Sequence, residues 1–296
     1  MKKVIFWGWY SDYDIATIRS LRSKYNVHNK SMSKFTRIIL GLFKFFLNRN
    51  VLGYLYKICI ADKLSKEEII VFSDDIIFYD SILSHIHCKR KIIVFRNKLP
   101  IKFSSTIDKL QACGFEMYTF DNSDAKLYNI IYKGQYLPCV YSLKSVEQKN
   151  NAYFLGLNKG RQSILMALSD KLSERGITPD ITLVKKYNFG IKFYHGKISY
   201  LENVNKLLES TYVIDIVSEG QTGLTLRALE ATFYHRKLIT NNPAIKQYEF
   251  YNENNILILN DEFEIPDSFI TERYQPVSSD LLKKYTAESY YSDIIG

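Results

Sequence analysis

The amino-acid sequence predicts an α/β protein built of two successive parallel-sheet units, on three observations. Short apolar runs alternate with segments of helical spacing along most of the chain, the alternation breaks once in an irregular stretch, and each apolar run ends in polar or charged residues. Strands separated by helices build parallel βαβ units rather than meanders. The 296 residues suit one large domain or two of about 150 residues each. With 46% hydrophobic and 24% charged residues the chain can bury a full core, which excludes wholesale disorder.

The elements follow in order. KKVIFWG (2–8) is the first expected strand, followed by the loop WYSDYD and a helix through IATIRSLRSKY. Residues 34–60 set apolar residues at helical spacing with basic residues between them. EIIVFSDD (68–75), RKIIVFRN (90–97) and FEMYTFD (115–121) are the next strands. Residues 129–153 are irregular, with Gly134, Pro138 and a polar tract, so the boundary is placed there, giving domains 1–145 and 146–296. Alternation restarts at AYFLGLNKGR, and QSILMALSDKLSERG is an amphipathic helix closed by Gly176. DITLVKK, TYVIDIV, RKLITNN and NILIL are strands, and SSDLLKKYTAESYYSDIIG supplies one or two closing helices. Two such lobes face across a cleft, and in parallel sheets ligands bind beyond the carboxyl ends of the strands.

The net charge of +9 suggests an anionic partner, which leaves nucleic acid, an anionic membrane face or a phosphorylated small molecule. No RRM, OB or helix-turn-helix signature supports the first. Phosphate-backbone binding would in any case reveal itself by weakening steeply with salt. Cys59, Cys88, Cys113 and Cys139 are widely spaced, as expected of reduced thiols in a cytosolic protein. The longest apolar stretch is interrupted by Arg37, Lys44, Arg49 and Lys57 and falls short of the roughly 18–20 clean residues of a membrane span. As an amphipathic cationic segment, 34–57 suits either peripheral contact with anionic headgroups or a domain helix with a solvated basic face. The expected location is therefore cytoplasmic, with peripheral contact at the inner face of the membrane.

SEGQTGLTLRALE (218–230) joins an apolar strand to a helix. A helix beginning near Gly220–Leu224, capped by Thr222 or Thr225, would turn its free N–H groups toward an anion, and Gly220 and Gly223 would let it approach the backbone. Arg227 and Glu230 lie inside that helix, where the carboxylate suits a ribose diol; the plain alternative is a capped helix with an internal ion pair. In GLNKGR (156–161), Lys159 and Arg161 oppose the dipole of the helix they introduce unless an anion sits there. A diphosphate would resolve the conflict, with Arg161 giving two donors and Lys159 a point charge. No Walker A loop, H-E-x-x-H or G-x-S-x-G is present. His85, His87 and Cys88 do not converge as ligands, so no metal is expected.

The run DIVSEGQTGLTLRALEATFYHRKLITNNPAIKQYEFYNENNILIL, with FLGLNKGR and LLKKYTAESYYSDI, resembles the C-terminal domain of GT-B-fold glycosyltransferases of bacterial lipopolysaccharide and capsule assembly. The likeness is clearest over residues 150–296 and architectural before them. It implies two Rossmann-like domains with a C-terminal helix closing the structure. It also implies an enzyme moving sugar from a nucleotide-sugar donor to a glycan or glycolipid acceptor without cofactor, metal or nucleic acid. Donor contacts would come from Gly156, Lys159, Gly160, Arg161, Lys197, Tyr200, Ser218, Glu219, Gly220, Gln221, Thr222, Gly223, Arg227 and Glu230. His195, Lys197 and Tyr200 are expected in a loop before a helix, for which a plain surface loop is the alternative. The acceptor would meet Trp9, Tyr10, Arg96 and Asn97. An inverting reaction would take its base from Asp12, Asp74 or Asp75, although strand-end acids also cap helices. Where many retaining members carry the first Glu of a pair this chain has Thr222, so the stereochemical course stays open. A non-catalytic nucleotide-sugar-binding protein of an assembly complex is the other reading.

Overall fold

The computed structural model describes residues 3–31, 33, 51, 54, 64, 68–74, 86–141, 146–188, 192–196 and 198–296, with backbone alone for 186–188 and 192–195. The basic segment 34–57 lies outside the described residues except at Val51 and Tyr54.

The chain is α/β and divides into two units, Met1–Gly134 with Tyr291–Gly296, and Gln135–Tyr290. The division falls ahead of the 145/146 position expected. Leu137 explains this, being buried in the second unit's core while its amide donates to the Tyr285 carbonyl at 2.7 Å. Tyr291, on the helix Ala287–Ile295, belongs to the first unit because its buried ring meets Phe6 at 5.2 Å and Trp9 at 6.4 Å.

The first unit holds β1 (Lys3–Trp7), β2 (Asn26–Lys30), β3 (Ile69–Ser73), β4 (Arg90–Phe95), β5 (Phe115–Thr119) and β6 (Ile131–Tyr132). Their order is β2-β1-β3-β4-β5-β6, every pairing parallel. The central strands are covered on both faces, which is why they read as continuous apolar runs. Ile5, Ile70, Phe72, Ile93 and Phe95 pack with Ile107 and Leu110 of the helix Ser104–Ala112. Each such side chain contributes about 1.5–3 kcal/mol by leaving water. Arg90 clamps Glu116 with two 2.8 Å bonds and also donates to the Ile294 carbonyl, tying the final helix to this sheet.

The second unit holds β7 (Lys149–Leu157), β8 (Thr178–Asn188), β9 (Lys192–His195), β10 (Ser210–Asp215), β11 (Lys237–Thr240) and β12 (Ile256–Ile258). They lie in the order β12-β11-β10-β7-β8-β9, with β9 antiparallel to β8 and the other pairings parallel. The helix Gln162–Glu174 ends as its sequence suggests. Gly176, at φ 70°, lets its own amide reach the Ser173 carbonyl and that of Ile177 reach Leu172, a Schellman close. Both sheets are thus Rossmann-like.

Three strands escape the sequence pattern. β2 buries only Val27, and β6 is two exposed residues, so neither shows an apolar period. β9 returns beside β8 where a loop around His195 was expected; the glycine between the two runs in the sequence is a hairpin signal.

Candidate functional site

Each sheet reverses its direction of growth once. In the second unit this switch point lies between β7 and β10, since β8 and β9 add on one side and β11 and β12 on the other. Ligands enter open α/β sheets at such a crevice. The two loops that leave these strands are GLNKGR and SEGQTGLTLR, so the topology brings both candidate motifs to one place.

After β7, Asn158–Arg161 forms a tight turn closed by a 2.8 Å bond from the Arg161 amide to the Asn158 carbonyl. Lys159 and Gly160 occupy it at φ 43° and 81°. A lysine in that region carries strain, while glycine adopts it freely. The Asn158 side chain accepts the Gln162 amide at 3.0 Å, but Arg161, the N-cap residue itself, offers no side-chain acceptor. Arg161 instead brings positive charge to the positive end of the helix. Its Nε is buried without a hydrogen-bond partner. Burial first, and the nearby Arg227 charge second, push its pKa below the ordinary value, with Asp215 pulling the other way.

Arg227 is seated differently. It pairs with Asp215, the last residue of β10, at 2.9 Å and donates to the Leu155 carbonyl at 3.2 Å. Its guanidinium lies 4.6 Å over the Phe154 ring. Gly156 makes room for this arrangement, because a Cβ there would come within 3.2 Å of both Arg227 Nη2 and Phe154 Cζ. Replacing Gly156 by Ala is therefore expected to displace the guanidinium and weaken anion binding severalfold, by titration, with little loss of stability. Unchanged affinity would mean that this contact does not place Arg227.

The expected helix start at Gly220–Leu224 is corrected. The helix is Leu226–Phe233, its N-cap is Thr225, and that hydroxyl accepts the Ala228 amide at 3.1 Å. The 220–223 amides therefore belong to a loop. Ser218–Gln221 is a turn with Gly220 at φ 72°, and Ser218, Glu219, Gly220, Gln221 and Thr222 are exposed or half-buried while Gly223 is buried. Asn241 and Asn242 shape this loop from beyond β11, with Asn241 Oδ1 accepting the Val217 amide at 2.7 Å and Asn242 Nδ2 donating to Gly223 at 3.4 Å.

Glu230 is 3% exposed, and its Oε1 has no hydrogen-bond donor. Burial pushes its carboxyl up to about 7; Tyr200 and Arg227 oppose the rise, and Asp215 adds to it. Tyr200 starts the helix Tyr200–Leu208 and is buried against the same carboxyl, so it is not the loop residue expected. Lys197 lies outside the described residues, as does Asp75.

In the first unit the switch point lies between β1 and β3, and its strand-end residues pair with one another. Arg96 Nε and Nη2 reach Asp74 Oδ1 at 3.1 and 3.0 Å, while Nη1 pairs with Asp14. Asn97 donates to Asp74 Oδ2 at 3.0 Å. Arg96 also stacks 4.6 Å over Trp9, whose fully buried indole donates to the Val71 carbonyl at 2.9 Å. The expectations for this region change accordingly. Trp9 is core and has no face for a sugar ring, Asp74 has both oxygens engaged, and Arg96 is the counter-ion of two acids. Asp14 closes a capping box with Ser11. Asp12 is exposed in the first turn of Asp12–Leu21, and Tyr10 is half-buried.

Sequence reasoning missed Asp215, Phe154, Asn241 and Asn242. The aspartate interrupts an apolar run, YVIDIV, where a lone charge among buried residues was the available signal; the others carry none. Among the described residues no group of three or more His, Cys, Asp or Glu is placed to hold a metal ion, and no helix is long and apolar enough to cross a membrane. No protein-family model and no curated protein matches the chain, so the chemistry of the site rests on its own residues.

Proposed function

We propose that the crevice between β7 and β10 receives the phosphate groups of a nucleotide-activated sugar, and that the protein is a glycosyltransferase of the GT-B kind. One observation carries this reading: Arg161 holds a buried, unpartnered Nε beside Arg227, where a single carboxylate, Asp215, is already committed to Arg227. Burying an unpaired cationic donor costs free energy that an anion would recover. The helix Gln162–Glu174 adds its dipole and has no acid in its first turn. Guanidinium groups and a helix N-terminus there would stabilise charge on a departing phosphate.

On this reading the second unit binds the donor and the first the acceptor, a glycan or glycolipid at the inner membrane face. Asp12, the exposed acid beyond β1, is then the candidate base. Screening UDP-, GDP- and CMP-sugars for thermal stabilisation tests the proposal. A donor at tenfold its dissociation constant should add at least about 1.4 kcal/mol. Failure of every donor to stabilise the protein overturns it.

A further inference from the structure

Glu230 is a buried carboxyl of the second unit whose Oε1 receives no hydrogen bond. It lies three residues after Arg227 on the helix Leu226–Phe233, so the two side chains share one side of that helix. The groups facing its carboxyl are Tyr153 of β7, Tyr200 of the helix Tyr200–Leu208, Asp215 of β10, Arg227, and Tyr234 just beyond its own helix. Among these only Arg227 is cationic, and its donors already serve Asp215 at 2.9 Å and Leu155 at 3.2 Å. Two of the phenols are committed elsewhere: Tyr153 donates to Asn203 Oδ1 at 3.0 Å, and Tyr234 accepts the Tyr141 amide at 3.1 Å. A carboxyl 3% exposed, with one oxygen undonated and no counter-ion of its own, is held more cheaply as the neutral acid.

The charge of the crevice depends on that proton. Arg161 and Arg227 are balanced by Asp215 and an ionised Glu230, whereas protonating Glu230 leaves the site one positive charge in excess. We infer that Glu230 is a proton-linked regulator of the anion site, taking up a proton as an anion settles on Arg161 and Arg227, so that affinity falls as pH rises through neutrality. The inference rests on the reading that these two arginines hold an anion. The sign follows from linkage. An arriving anion repels a carboxylate and competes for the field of Arg227, which favours protonated Glu230, and the proton reciprocally favours the anion. A carboxyl poised at about 7 titrates where this coupling is visible.

Sulfate is the probe, because it keeps a fixed charge between about pH 6 and pH 8 and adds no titration of its own. Its binding to the full chain is measured calorimetrically at constant ionic strength, balanced with chloride. If the bound anion raises the Glu230 pKa by about one unit, wild-type affinity drops roughly fivefold between about pH 6 and pH 8, and E230Q shows no such drop. An equal drop in both proteins, or none in the wild type, overturns the inference while leaving the anion site standing. Undiminished sulfate binding by R161M, or no binding in any protein, removes the anion site itself. If E230Q does not fold, wild-type titrations in buffers of different ionisation enthalpy count the proton directly. Uptake of roughly 0.4 proton per sulfate near pH 7 is expected, and zero uptake overturns the inference.

Discussion

Arg161→Met and Arg227→Met are expected to part company in stability while both lose anion binding. Arg227 is the partner of Asp215, a carboxylate 1% exposed, so its removal strands a buried charge and costs about 3–5 kcal/mol in urea unfolding. Arg161 has no hydrogen-bonded partner for its buried Nε and sits in the field of Arg227. Its removal relieves both burdens, and the apoprotein should be as stable as the wild type or more so. Affinity for the anion nonetheless falls about 10- to 100-fold, the worth of one or two hydrogen bonds to a charged group. Stability gained where binding is lost is the mark of a group retained for function. The double variant refines the test: if Arg161 takes over Asp215 when Arg227 is gone, Arg161→Met becomes destabilising in that background. A large stability loss from Arg161→Met alone would show that the residue is structural and would remove the main support for the proposed site.

Arg96→Met should destabilise the first unit by about 3–5 kcal/mol. The side chain is 15% exposed and stands between Asp14 at 3% and Asp74 at 10%, so its loss leaves two largely buried carboxylates facing one another. It also uncovers the Trp9 ring. Trp7 and Trp9 are the chain's two tryptophans and both belong to the first unit, so intrinsic fluorescence follows that unit directly. Arg96→Lys keeps the charge but loses the fork and the ring contact, and should fall between the two. If Arg96→Met costs less than about 1 kcal/mol, the network is not what holds the β1 and β3 strand ends together.

The same residue types play opposite parts in the two units, and the sequence does not distinguish them. RKIIVFRN and GLNKGR both place an arginine just past a buried strand. At Arg96 two acids from separate elements close on the guanidinium, whereas at Arg161 none of the described acids does. Whether a strand-end charge is spent internally depends on which neighbours the sheet order delivers, and that order is a long-range property.

By itself the sequence determined the α/β class and the two largely parallel sheets, because buried strands, helical periods and capping residues are local signals. It also marked Gly176 as a helix stop, since a left-handed residue at that place favours glycine whatever surrounds it. Tertiary structure alone decided that β7 and β10 are neighbours, that Trp9 is core, and that Asp215 belongs to Arg227. Those outcomes depend on contacts between segments far apart in the chain, where burial and charge pairing are settled only once the strands have found their order.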